Sequence, residues 1–223
     1  MKKLFFKVNN RAKVNVVKPM FLEGIRVQNA NGHFVLVSSL WKSKTVLLKV
    51  LRRFGCPLCR YESRLLSELK PEFEFLGIRL VAIGFERVGL EDFIAGGFWE
   101  WELFIDTERS IYTALNLHKV SVSTGLRNMV SASTLAATAA AHRAGIFGDL
   151  RGDDFQLGGT FVVERATGKL LYEYRQKFAA SYASIRDIYA LCGGDPDEVE
   201  EKAPLECLVY RSMRDLDKKC FLD

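Results

Sequence analysis

The sequence predicts an α/β fold, with one central mixed sheet flanked by helices. Three observations predict it. An apolar run, Thr45–Leu51, passes into an amphipathic helical pattern and then into a second apolar run, Arg79–Gly84. Strand, helix, strand over that length is a βαβ unit with parallel strands. Near the other end, Gly159–Glu164 and Lys169–Tyr174 are strand-like and flank the short turn Arg165–Gly168, which makes an antiparallel hairpin. The chain has 223 residues, 48% of them hydrophobic, enough for one sizeable core.

Taken in order, the apolar segments Val14–Val17 and His33–Leu40 are separated by Asn29-Ala30-Asn31-Gly32. Asn-Gly is a tight-turn signal, so the chain is expected to open with a hairpin. Beyond Thr45–Leu51, the residues Leu58, Tyr61, Leu65, Leu69, Phe73 and Leu76 recur at three- and four-residue spacing. They lay one apolar stripe along a helix that Pro71 kinks or restarts and Gly77 stops. Leu90–Ala95 reads as a short helix ended by Gly96-Gly97, Glu102–Asp106 as a third strand, and Ser110–Leu117 as a helix. Phe98, Trp99 and Trp101 read as a packed aromatic cluster.

Residues 119–157 are the least regular part. An Ala-rich helix is expected over Met129–Gly145 and a Gly- and Asp-rich loop over Gly148–Gly158. Their apolar content is too thin for a core of their own, so they read as an insertion covering the site. Tyr182–Leu191 closes with a helix that Gly193-Gly194 ends. A parallel βαβ half followed by a ββα half is the layout of a thioredoxin fold. The expected division is therefore a thioredoxin-like domain over 1–194, with the insertion 119–157, and a C-terminal extension over 195–223. The extension begins with an acidic, linker-like Asp195–Glu198. Leu205, Leu208, Val209, Met213 and Leu216 then follow in amphipathic-helix spacing.

Charge excludes some functions. The formal net charge is +5, but residues 195–223 carry −4 and residues 1–194 carry +9. The basic residues are scattered and are not interleaved with stacking aromatics, so no nucleic-acid partner is expected. No apolar run reaches the length of a membrane span, so no stable membrane insertion is expected. Met1–Lys7 lacks the long apolar core of a signal peptide. The absence of acids before Glu23 is shared with organellar transit segments, but the expected compartment is the cytoplasm.

The stretch that carries chemistry is Arg52-Arg53-Phe54-Gly55-Cys56-Pro57-Leu58-Cys59-Arg60, a C-x-x-C between strand and helix. Proline is favoured at the first helical position, which makes Cys56 the N-cap. Its sulfur then faces free backbone N–H groups and the positive end of the helix dipole, with Arg52, Arg53 and Arg60 nearby. Each of these favours the thiolate, the nucleophilic form. Cys59 lies one turn on, with Cα atoms about 5 Å apart, inside the range a disulfide accepts. Two other readings stand beside a redox pair. A zinc site needs a second ligand pair, and Cys192, Cys207 and Cys220 are widely spaced; no metal is expected. Two cysteines with a purely structural place in the core are the other. His33, His118 and His142 read as turn, helix-end and helix-surface residues.

Three blocks resemble a known family. Arg52–Arg60 is similar to the active-site segment of the peroxiredoxin-like proteins that include prostamide/prostaglandin F synthase and the selenoprotein U group. Gly77–Gly84 resembles the strand that follows there, and Gln156–Val163 the entry to the hairpin. The resemblance spans roughly residues 35–192. It implies thiol chemistry in which Cys56 attacks a peroxide or endoperoxide and Cys59 resolves the intermediate. Reduced thioredoxin is the implied partner, recycled by NADPH through thioredoxin reductase. No Gly-x-Gly-x-x-Gly follows a strand, so no cofactor is expected to bind this chain directly.

The sequence departs from neighbouring families at two places. Arg53 stands where a typical peroxiredoxin has Thr or Ser, three residues before the attacking cysteine. Gly159-Thr160 stands where a thioredoxin has proline, which argues against general protein-disulfide exchange. Arg53, Pro57, Gly159, Thr160 and Arg175 are thus the expected supports of thiolate and substrate, Arg53 and Arg175 by polarising the leaving oxygen. A redox-sensing or protein-binding module with little turnover is the alternative. The enzymatic reading requires the Cys56 sulfur to stand at a helix start and not to be sealed in the interior.

Overall fold

The computed structural model describes residues 22–200, and its sheet begins with a short hairpin. Strands β1 (Arg26–Asn29) and β2 (Phe34–Leu36) pair antiparallel around a turn in which Gly32 takes φ +84°, a conformation that favours glycine. The Asn-Gly turn is where the sequence places it, but the strand before it is Arg26–Asn29. Val14–Val17 lies outside the described residues. The second apolar segment is also shorter than expected, because Val37–Trp41 coils into a 3₁₀ helix that buries Val37, Leu40 and Trp41.

The βαβ unit follows. Strand β3 (Val46–Val50) leads to helix α1 (Pro57–Glu68), and a second short helix, α2 (Lys70–Phe75), carries Pro71 at its start. Proline cannot continue the α1 hydrogen-bond ladder, so the helix restarts there. Gly77, at φ +70°, ends it, and β4 (Arg79–Gly84) runs parallel to β3. Helix α3 (Leu90–Ala95) and strand β5 (Glu102–Ile105) continue the parallel part. Helix α4 (Ser110–Ala114) is shorter than the expected 110–117, since Asn116 turns to φ +52°.

Residues 119–157 carry two helices, α5 (Val122–Met129) and α6 (Ala132–Arg143), where one was expected. Each is capped by a serine side chain, Ser121 and Ser131, which accept from Thr124 and Thr134. Strands β6 (Gly159–Val163) and β7 (Leu170–Arg175) form the predicted antiparallel hairpin, and helix α7 (Ile185–Leu191) follows. The acidic Asp195–Glu198, expected as a linker, runs instead into Asp197–Glu200. The latter forms one turn of helix, α8, that packs on α7 by burying Val199 and accepting the Tyr189 hydroxyl on Glu198. The amphipathic pattern beyond it, with Cys207 and Cys220, lies outside the described residues.

Among the described residues, seven strands form one mixed sheet in the order β2-β1-β5-β4-β3-β6-β7. The central strand β3 is buried along its whole length, parallel to β4 and antiparallel to β6. Its alternation divides the core. Val46, Leu48 and Val50 face one apolar layer with Phe161 and Tyr112. Leu47 and Leu51 face the other, where α1, α2 and α7 pack and where Cys56 and Cys59 lie. Lys49 shares that second face, an unusual place for a cation in a central strand. No helix among the described residues is long and apolar enough to cross a membrane.

Candidate active site

The loop between β3 and α1 is held from below. The Tyr112 hydroxyl donates to the Leu51 carbonyl at 2.6 Å, fixing the end of β3. Phe54 turns inward against Phe93, with centroids 5.1 Å apart, and lies over Gly84, where any Cβ would strike its ring. The chain then enters α1 with Pro57 at its start and Cys56 as N-cap, in the extended conformation of φ −75° and ψ 124°. The Cys56 carbonyl accepts the first helical bond from the Arg60 N–H at 3.0 Å. Pro57 has no N–H to offer, so the free donors at the helix mouth begin with Leu58 and Cys59.

Arg52 supplies the closest cation. Its Nη2 donates to the Cys56 Sγ at 2.8 Å, while Nη1 donates to the Asp154 carbonyl at 2.8 Å. Burial opposes ionisation of Cys56. The Cys59 thiol and N–H that donate to its sulfur, together with the charge of Arg52, outweigh that and hold the thiol well below the usual cysteine range. Cys59 moves the opposite way: its thiol is tied up as donor to Cys56 and buried, which pushes it well above that range. The pair therefore divides its labour, one sulfur ionised and the other holding its proton. Both are free thiols in this structure.

Arg53 and Arg60 do something else. Arg53 donates to the carbonyls of Asp149 and Arg151, and its Nε lies 2.7 Å from the Asp154 carboxylate. Arg60 donates to the Phe54 carbonyl at 2.8 Å and the Phe147 carbonyl at 2.6 Å. Together with Arg52 they bind the segment 147–154 across the mouth of α1. Gly148 meets Pro57 and the Gly55 carbonyl so closely that no side chain fits. The sulfur stands at a helix start, but it is not open: Cys56 is 1% exposed. The expectation that it escapes sealing is not met in this conformation, because three arginines draw the covering segment onto it.

The other expected supports separate. Thr160 lies on the site face and its hydroxyl accepts from Lys49 at 3.3 Å, while Gly159 pairs with Val50 in the sheet. Arg175 is engaged elsewhere. It donates to the Leu115 carbonyl at 2.6 Å and lies over the Phe161 ring, which belongs to the opposite apolar layer. Arg53 is held by the cover, so the guanidinium at the sulfur is that of Arg52, its neighbour. Sequence reasoning counted Arg52 only as nearby charge. It had no signal for the Lys49–Glu62 pair beneath the cysteines beyond a lysine inside an apolar strand. Beside Arg52 opens a cavity of about 290 Å³, lined among others by Leu126, Met129, Asp154, Phe155 and Leu157.

An ionised N-cap cysteine with a protonated partner one turn on, set on a mixed sheet, defines the thioredoxin-fold thiol oxidoreductases. The particular family follows from comparison. The profile of the AhpC/TSA antioxidant enzyme family matches residues 65–177, a span that begins after Cys59. The prostamide/prostaglandin F synthase of Xenopus tropicalis is 33% identical over 81% of this chain and 90% of its own length. That of Sus scrofa is 34% identical over 77% and 89%. The chain belongs to this peroxiredoxin-like family. Two solved structures share the fold: peroxidoxin BcpB of Mycobacterium tuberculosis and a peroxiredoxin 6 of Arenicola marina. The first has a TM-score of 0.53 at 14% identity, over 76% of this chain and 91% of that one. The second has 0.55 at 12%, over 80% and 73%.

Proposed function

We propose that the protein reduces an organic peroxide or endoperoxide with its Cys56–Cys59 pair and is recycled by thioredoxin. The observation that carries this reading is the Arg52 guanidinium 2.8 Å from a helix-capping Cys56 sulfur. The thiolate attacks the O–O bond; one oxygen stays on sulfur, as a sulfenic acid from a hydroperoxide or a sulfenate ester from an endoperoxide, and the other leaves as an alcohol once protonated. Cys59 then attacks the oxidised sulfur and forms the disulfide, releasing water from the sulfenic acid or the second hydroxyl of the substrate from the sulfenate ester. Thioredoxin reduces it by exchange, with electrons from NADPH through thioredoxin reductase. The nicotinamide needs no site on this chain, and the cycle we propose runs in the cytoplasm, where thioredoxin keeps thiols reduced.

The cavity beside Arg52 supports an organic substrate over hydrogen peroxide, since Leu126, Met129, Phe155 and Leu157 offer it apolar walls. The names of the prostamide/prostaglandin F synthases point the same way, toward an endoperoxide. Turnover requires the segment 147–154 to part from α1. One observation favours a second reading, a redox sensor with little turnover: the sulfur is 1% exposed.

Steady NADPH consumption with thioredoxin, thioredoxin reductase and cumene hydroperoxide separates the two. The enzyme reading expects sustained consumption that Cys56→Ser abolishes, and a Cys56–Cys59 bridge by mass spectrometry after one equivalent of oxidant. Consumption equal in Cys56→Ser and parent would refute it, and a bridge without turnover would favour the sensor.

A further inference from the structure

Behind the two cysteines lies an ion pair that the thiol chemistry above does not use. Lys49 on β3 and Glu62 on α1 meet at 2.5 Å, with side chains 2% and 4% exposed. Lys49 also reaches Thr160 on β6 at 3.3 Å. A buried ion pair seldom adds net stability, because the desolvation of both charges offsets their attraction. The position of this one is telling. Glu62 stands three residues after Cys59, and residues at that spacing share a helix face. The face is the one packed on the sheet, where Cys56 and Cys59 are buried.

The pair is also incompletely satisfied. Glu62 Oε2 is buried without a hydrogen-bond partner, and so is the Tyr182 hydroxyl, which sits within electrostatic reach of Glu62, Cys56 and Cys59. Buried polar atoms of this kind are normally paired, often by an internal water. Burial raises the Glu62 carboxyl above its ordinary range although Lys49 pulls the other way, and the Cys56 charge raises it further. Lys49 from β3 pairs with this carboxyl, and Cys56 from the start of its own helix and Tyr182 from the segment before α7 lie within its electrostatic reach. Thr160 from β6 accepts from Lys49, and Cys59 and Arg52 lie within reach of Tyr182.

We propose that Glu62, held beneath the C-x-x-C turn by Lys49, takes the proton from Cys59 when the disulfide forms and hands it to the departing oxygen. This rests on the disulfide-forming reading above. Cys59 needs such a base, because its thiol is the one that holds its proton. In the forward step the Cys59 proton passes to Glu62, directly or over a water between Glu62 Oε2 and the Tyr182 hydroxyl. The freed Cys59 electron pair forms the S–S bond at the Cys56 sulfenic sulfur. The S–O bond breaks, and the departing oxygen takes the proton from Glu62 and leaves as water. Cys59 sulfur is oxidised, the sulfenyl sulfur is reduced, and Glu62 is restored.

The test is a single turnover of the full chain with one equivalent of cumene hydroperoxide. Sulfenic acid is trapped with dimedone and the disulfide is counted by mass spectrometry across pH. Glu62→Gln is expected to leave sulfenic acid formation within about twofold and to slow disulfide formation about a hundredfold near neutral pH. The loss should shrink as pH rises and hydroxide replaces the carboxylate. Glu62→Asp keeps an acid and should retain the parent's pH profile; it stands in where the glutamine variant does not fold. Disulfide formation in Glu62→Gln at the parent's rate, or slowed equally at every pH, would overturn the proposal. A parent that forms no sulfenic acid would instead overturn the function on which it rests.

Discussion

Replacing Arg52 by methionine isolates the interaction on which the nucleophile depends. The side chain keeps much of its bulk and loses the guanidinium that donates to Cys56 at 2.8 Å. Arg52 is 8% exposed, so little solvent screens the contact. A hydrogen bond to a charged group contributes about 1.5–3 kcal/mol, and one pKa unit corresponds to about 1.36 kcal/mol. The ratio moves the Cys56 titration midpoint upward by about 1–2 units. Thiolate at fixed pH then falls about tenfold per unit once the midpoint exceeds the assay pH, and the rate of attack on peroxide falls with it. The assay is ultraviolet absorbance of the thiolate against pH, with the Cys56→Ser signal subtracted. An optical readout suits a covered sulfur, because no reagent has to reach it. Arg52→Lys should recover part of the effect, since it keeps the charge and loses the fork that spans Cys56 and Asp154. A midpoint unmoved in Arg52→Met would refute the account of how this cysteine ionises.

Two further outcomes follow from the covering segment. Gly148→Ala places a methyl against Pro57 and the Gly55 carbonyl, so the segment must shift; iodoacetamide should label Cys56 faster than in the parent, and an unchanged rate would deny that 147–154 governs access. The segment should also loosen in acid. Partial burial would raise the Asp153 carboxyl, but its hydrogen bonds from Lys119, the Phe155 N–H and Arg109 hold it at about 2. A depressed carboxyl contributes stability that is complete above its unfolded pKa of about 3.9 and is lost as pH falls through the folded value. Hydrogen exchange of residues 149–156 should therefore rise between about pH 4 and pH 2, and Asp153→Asn should show that rise already at neutral pH.

Much of this was legible because local chemistry and global fold agree. Pro57 after a cysteine announced the start of α1, Pro71 its break and Gly77 its end. Arg165–Gly168 marked the β6–β7 hairpin. What escaped depends on partners far away in the chain. β1 is four residues of mixed polarity, Arg26-Val27-Gln28-Asn29, and becomes a strand by pairing with β5 as well as β2. α5 carries Val122, Leu126 and Met129 at helical spacing, but it is only eight residues long and buries none of them, so the stripe marks no packed face. Arg52 and Arg53 are neighbours with different duties, and only the carbonyls of 149, 151 and 154 decide which of them faces the sulfur. Lys49 sits within an apolar run that reads as strand. Its meaning appears only when the helix above it brings Glu62 into reach.

The tether from Arg52 to Asp154 spans 102 positions of sequence. A transplant of the nonapeptide Arg52–Arg60 into another scaffold would carry both thiols and leave behind the strap that aims the guanidinium. Acidity at Cys56 is thus a property of two distant stretches of chain acting together, and an engineer who wants it must move both.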